Sequence, residues 1–241
     1  MLIPRIYQPN PCFVGHSLLL SKEASHHLIK VLRLEAGNNL ILFNGDGKEY
    51  FATLKKAGKI CEIVIEEVSN KSLESPFPIH LGQSVIRGDR MDFVIQKAVE
   101  CGVTSLHPLI ATASLIKTTE KRLEKKEKHW QNIIISACEQ CGRNSLPTLH
   151  PVVTFTEWLS KPLADCKLIF HQDAQHSLST LNIQPKSIQI LIGPEAGFTE
   201  EEVQLSVQHN FIPCLLGPRI LRAETAPIAA LCALQTRFGD F

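Results

Sequence analysis

The hydrophobic pattern of the 241-residue chain changes character at residues 69–78, where Ser-Asn-Lys-Ser-Leu-Glu-Ser-Pro-Phe-Pro reads as a linker. Before it, strand-like runs over residues 39–44 and 48–55 flank Gly45-Asp-Gly47, a hairpin signal, and residues 59–68 alternate like another strand. Residues 21–33 form the one helical pattern there, with Leu28, Val31 and Leu32 on one side. This predicts a small β-barrel over residues 1–71. Beyond the linker, strand and helix patterns alternate: a strand over 79–86, a helix over 89–101, a strand over 103–109, a long helix over 119–141 and a last helix ending at Arg237. Such alternation predicts an α/β domain over residues 72–241, with a mostly parallel sheet and helices on its faces.

Two glycine-bearing segments in this second part stand out. In Ile190-Leu-Ile-Gly-Pro-Glu-Ala-Gly-Phe198, Gly193 follows the strand-like residues 188–192, and Thr199 to Glu202 has capping-box spacing for the next helix. In Leu215-Leu-Gly-Pro-Arg-Ile-Leu-Arg-Ala-Glu-Thr-Ala226, Gly217 and Pro218 end the strand pattern of residues 211–216, and Thr225 is placed to cap an apolar helix with Pro227 in its first turn. Loops of this kind on neighbouring strands put main-chain polar groups side by side at the strand ends, a site for a small polar cofactor. Arg219, Arg222 and Glu224 crowd charge into the second loop. No G-x-G-x-x-G follows any strand, so the usual dinucleotide fingerprint is absent.

Composition narrows the class without naming a substrate. With 44% hydrophobic and 20% charged residues the chain can bury a full core. No apolar run approaches the roughly 20 residues needed to cross a bilayer, and the first five residues lack a signal-peptide pattern, so a cytoplasmic protein is expected. The eight cysteines sit mostly in apolar, element-like runs, which fits reduced thiols. Cys138-Glu-Gln-Cys141 has C-x-x-C spacing but no second pair, so no metal is expected. Net charge is only +1, with nine Lys/Arg against seven Asp/Glu in residues 1–71. Any RNA affinity must come from local clusters, for which Arg5, Lys30 and Arg33, then Arg87 and Arg90, then Arg143 are the candidates.

The two loops resemble the signature loops of the bacterial 16S ribosomal RNA uridine N3 methyltransferase family, within the knotted SPOUT class. The similarity extends to Arg5-Ile-Tyr7, His26-His-Leu-Ile-Lys-Val-Leu-Arg33, Ile95-Gln-Lys-Ala-Val-Glu-Cys-Gly-Val103 and Ala137-Cys-Glu-Gln-Cys-Gly-Arg143. Two departures are Ala196, where the family usually has a second glycine, and residues 111–116, which lack a common arginine. The resemblance implies a PUA-like RNA-binding N-terminal domain, a C-terminal trefoil-knotted SPOUT domain and a homodimer. It further implies S-adenosylmethionine as methyl donor, 16S rRNA of the small ribosomal subunit as partner and N3 of the uridine at position 1498 as the target.

Cofactor contacts are expected from Ile192, Gly193, Gly197, Leu216, Gly217, Ile220 and Leu221, with Phe170 as a wall. The catalytic candidates are Arg222 and Glu224. Arg222 would stabilise an anionic uracil or orient a phosphate, and Glu224 would orient Arg222 or take the proton through water. The competing reading is a structural Arg222–Glu224 ion pair that fixes the loop. Two other functions fit the residues: methylation of another RNA such as tRNA, separated by the modified nucleotide, and a ribosome-associated protein with a degenerate pocket, separated by cofactor binding.

Overall fold

The computed structural model describes residues 3–114 and 120–241. The first residues, the end of segment 111–116 and position 119 at the start of the expected long helix lie outside them. Two compact units emerge, one of Met1–Glu74 with Ile135–Leu146, the other of Ser75–Ile134 with Pro147–Phe241.

In the first unit, strands β1 (Arg5–Tyr7), β2 (Ser17–Leu19), β3 (Asn39–Phe43), β4 (Glu49–Lys56) and β5 (Glu62–Ser69) form one sheet in the order β1-β3-β4-β5-β2. The hairpin between β3 and β4 forms where Gly45-Asp-Gly47 predicts it, with Leu42 opposite Tyr50. Its interior is aliphatic, with Leu28, Leu40, Leu42, Leu54 and Ile63 fully buried.

The helix expected over 21–33 is shorter and changes type. Helix α1 (Lys22–His26) starts at Ser21, whose hydroxyl accepts from the Ala24 amide, and continues as a π-helical turn, His27–Val31. The wider turn shifts the side chains that follow it. Leu28 therefore remains buried, while Val31 and Leu32, expected beside it, are 60% and 37% exposed.

The second unit contains β6 (Ile79–Ser84), α2 (Asp89–Glu100), β7 (Ser105–Ile110), most of α3 (Glu120–Cys141), β8 (Thr148–Leu149), β9 (Val153–Thr154), α4 (Phe155–Leu159), β10 (Cys166–Phe170), β11 (His176–Ser177), β12 (Ile188–Ile192), α5 (Glu200–Gln208), β13 (Ile212–Leu215) and α6 (Ala226–Phe238). Its strands are all parallel, in the order β11-β13-β10-β12-β6-β7-β8, with β9 also on β7. Strand β12 is buried along its whole length, as a central parallel strand covered on both faces must be. Trp158, Phe155, Phe198 and Phe211 pack with Leu191 and Ile169 in one cluster. Among the described residues no helix is long and apolar enough to cross a membrane. Burial pushes the Cys138 thiol up to about 12, which keeps it protonated and unreactive.

A polar row crosses this apolar interior. His80 Nδ1 lies 2.7 Å from the Ser105 hydroxyl, which lies 2.8 Å from His107 Nε2, and the His107 ring stacks on His150 at 4.0 Å. Burial, then the neighbouring His150 and His80, lowers His107 from its ordinary 6.5 to about 3. Unfolded, this imidazole takes a proton near pH 6.5; folded, it stays neutral down to about pH 3. The unfolded state binds more protons throughout that window, so stability falls as pH drops below about 6.5, by at most about 1.4 kcal/mol per pH unit from this group. Urea unfolding at pH 7, 6 and 5 should show a falling midpoint that His107→Gln flattens; equal slopes in both proteins would place the acid sensitivity elsewhere.

Candidate active site

The carboxyl ends of three adjacent strands, β13, β10 and β12, open on one cavity of about 460 Å³, a volume typical of small-molecule sites. The lining comes from residues 170–172 after β10, 192–198 after β12, and 214–224 with Ala226 after β13, together with Arg90 from the first turn of α2. Open α/β sheets bind ligands at this edge. The expectation that the two glycine loops follow neighbouring strands is corrected, because β10 lies between β12 and β13. Phe170, at the end of that intervening strand, completes the lining between them.

Each loop has its own anchor. Phe198 is 8% exposed and joins the aromatic cluster beside Phe155, which fixes the end of the first loop. The expected capping box forms: Thr199 Oγ1 accepts from the Glu202 amide and Glu202 Oε2 from the Thr199 amide. Glu202 is itself buried, and its other oxygen accepts from the Thr112 amide at 2.7 Å, tying the start of α5 to the segment after β7. In the second loop Thr225 occupies the N-cap position without a side-chain cap bond. Its backbone is already helical, at φ −86° and ψ −38°, rather than extended as a capping side chain requires. The Arg222 carbonyl starts α6 instead, accepting from the amides of Thr225 and Ala226 at 2.9 Å.

All ten predicted cofactor and catalytic residues line the cavity: Phe170, Ile192, Gly193, Gly197, Leu216, Gly217, Ile220, Leu221, Arg222 and Glu224. Ile220, at 83% exposed, stands at the rim. Gly217 has φ +122°, a conformation closed to a β-branched residue. Among the described residues Arg222 has no ion-pair partner, so the structural Arg222–Glu224 pair does not form. Glu224 faces Arg90 instead, with Oε1 3.8 Å from Arg90 Nε, and its Oε2 is buried without a hydrogen-bond partner. Arg90 also lies 3.9 Å from Glu195 of the first loop. Local sequence signals could not reveal this, because Arg90 lies more than 100 residues before either carboxylate.

The predicted RNA contacts divide. Lys30, Arg33 and Arg87 are exposed. Arg5 and Arg143 are corrected to interior roles in the first unit. Arg5 is paired with Glu49 at 2.6 Å and donates to Asn144 Oδ1 at 2.6 Å and to the Gly142 carbonyl. Arg143 donates to Glu74 through both Nε and a terminal nitrogen, at 2.9 and 2.6 Å. Their side chains are only 9% and 7% exposed, because a guanidinium buried beside a carboxylate is consumed by that pairing.

Residues 73–235 match the RNA methyltransferase domain family, and residues 20–68 match the RNA methyltransferase PUA domain family. The chain is 38% identical to ribosomal RNA small subunit methyltransferase E of Buchnera aphidicola, covering 99% of this chain and 98% of that one. It is 31% identical to the protein of that name from Bacillus subtilis, covering 90% and 88%. Among solved structures, ribosomal RNA small subunit methyltransferase E of Neisseria gonorrhoeae, bound to S-adenosyl methionine, superposes with a TM-score of 0.93 at 39% identity over the whole of both chains. A Legionella pneumophila chain with bound cofactor SAM superposes at 0.97 with 42% identity, again over both whole chains. Fold and cavity thus define an α/β SPOUT-type RNA methyltransferase domain preceded by a PUA-like domain. The chain belongs to the ribosomal RNA small subunit methyltransferase E family.

Breaking a buried ion pair strands its partner, so Arg5→Ala should cost about 3 kcal/mol of stability, read as a lower urea midpoint. Unchanged stability with weakened binding of small-subunit RNA would return Arg5 to an RNA-contact role.

Proposed function

We propose that this protein methylates N3 of the uridine at position 1498 in 16S rRNA of the small ribosomal subunit, using S-adenosylmethionine. The observation that carries the reading is the convergence of both glycine loops and Phe170 on one cavity at the ends of three adjacent parallel strands. That cavity fits the donor. The two glycine loops supply most of its lining, and a Cβ added at Gly193 would sit 3.3 Å from Gly197 and the Phe198 ring, filling the turn. Ile192, Gly193, Gly197, Leu216, Gly217, Ile220, Leu221 and Phe170 would hold the donor. When bound, it supplies an electrophilic methyl group on a sulfonium, a good leaving group.

The chain's own work is alignment, exclusion of water and handling of one proton. Uracil N3 is protonated at neutral pH and attacks only after that proton leaves. Glu224, with its buried and unpartnered Oε2, takes this proton through water. Arg222, exposed at the cavity and unpaired among the described residues, stabilises the uracil anion as it forms.

The same reading carries further parts. Residues 1–71 act as the PUA-like RNA-binding domain, and Lys30, Arg33 and Arg87 contact RNA. Residues 72–241 form the trefoil-knotted catalytic domain, and the protein works as a homodimer in the cytoplasm.

Calorimetry should show S-adenosylmethionine binding to the purified protein, and small subunits lacking the modification should gain a methyl group at uridine N3. A protein that binds no donor would be a ribosome-associated factor instead. Gly217→Val should weaken donor binding at least about tenfold, because valine is strained at φ +122°; unchanged affinity would put the pocket elsewhere. In single-turnover methylation by folded variants, Glu224→Gln should slow the step about 100-fold and Arg222→Lys about tenfold or more. Near-normal rates would remove both from the chemistry.

A further inference from the structure

Arg90 is the one residue lining the cavity, among those described, that does not come from the segments following β10, β12 and β13. It sits in the first turn of α2, a helix seated by Met91, Val94 and Ile95, which are all 2% exposed or less. Its guanidinium reaches one carboxylate of each glycine loop, Glu195 at 3.9 Å and Glu224 at 3.8 Å. Glu195 is held a second time, since its Oε1 also accepts from the Arg87 amide at 3.2 Å. The two loops are thus referred to one fixed point on α2.

We propose that Arg90 is a positioning residue that ties the two glycine loops across the cavity and orients Glu224 so that Oε2 stays free for a donor arriving with the ligands. This rests on the methyltransferase reading above. Three observations carry it. The side chain of Arg90 is 48% exposed, so its two pairs contribute little to folding itself. Both partners belong to loops whose ends are fixed elsewhere, at Phe198 for the first and at the start of α6 for the second, leaving their middles to be set against each other. Glu224 turns one oxygen toward Arg90 and keeps the other buried without a protein partner. A carboxylate freed from Arg90 would lose that orientation.

The test uses the full-length protein and S-adenosylmethionine calorimetry beside steady-state methylation of small subunits lacking the modification. Arg90→Gln and Glu195→Gln should each raise the donor Kd by about fivefold, the scale of one partly exposed ion pair. The double variant should bind no worse than the weaker single one, because both changes cut the same tie. KM for the small subunits and the melting temperature should remain as in wild type, and Arg90→Lys should recover part of the lost affinity. A change confined to KM for the subunits would make Arg90 an RNA contact and overturn the proposal. So would multiplicative effects in the double variant, or a lowered melting temperature with donor affinity intact. Wild-type protein that binds no donor overturns the methyltransferase reading, whereas wild-type binding with unshifted variants overturns the tie alone.

Discussion

The second unit depends on the parallel direction of its strands. Because every strand in the sheet runs the same way, their carboxyl ends share one edge, and the loops that leave there gather without any residue having to bring them together. Strand order then decides which loops meet. The chain passes from β10 to β11 at the sheet edge, crosses to β12 on the other side of β10, then returns to place β13 between β10 and β11, so segments from three positions in the sequence line a single cavity. Packing supplies rigidity, with Phe198 sunk in the aromatic cluster and Glu202 latching the following helix to Thr112. Loops fixed this way keep their open backbone for a ligand at small conformational cost.

Charge is distributed with the same economy. The chain as a whole is nearly neutral, at +1, so it lacks the broad positive field of many nucleic-acid-binding proteins. Two of its arginines, Arg5 and Arg143, are moreover spent inside the first unit, where they hold residues 142–144 and Glu74 in place. Lys30 and Arg33, beside the outward-facing Val31 and Leu32 at the end of the π-helical turn, are among the cations that stay exposed.

Much of this was legible locally. The strand of residues 188–192, the capping box at Thr199 and the hairpin at Gly45-Asp-Gly47 are short-range patterns, and each forms where the residues place it. The ten cavity residues could be assigned because glycine loops, their charges and the family resemblance point the same way. What escaped was long-range or depended on rotation about one turn. The separation of β12 from β13 by β10 is set by sheet order, which no local pattern records. The internal use of Arg5 needs Glu49 and Asn144, far along the chain. A helical wheel through residues 21–33 assumes 3.6 residues per turn, and the π-helical turn breaks that assumption at Val31.

The arrangement of charge in the second loop bears on how one site serves two ligands of opposite sign. Under the proposed reaction the donor carries a positive sulfur, while the acceptor becomes an anion attached to a polyanion. A buried arginine would repel the first, and a carboxylate at the mouth would repel the second. The loop does the reverse: Glu224 is the more buried group, at 17% exposure, and Arg222, two residues earlier, is exposed. The intervening Ala223 is 9% exposed, which seats the loop between the two charges. Under that reading the inner carboxylate would suit the donor and the outer guanidinium the RNA, and Arg90, 3.8 Å from Glu224, gives the inner carboxylate a counter-charge.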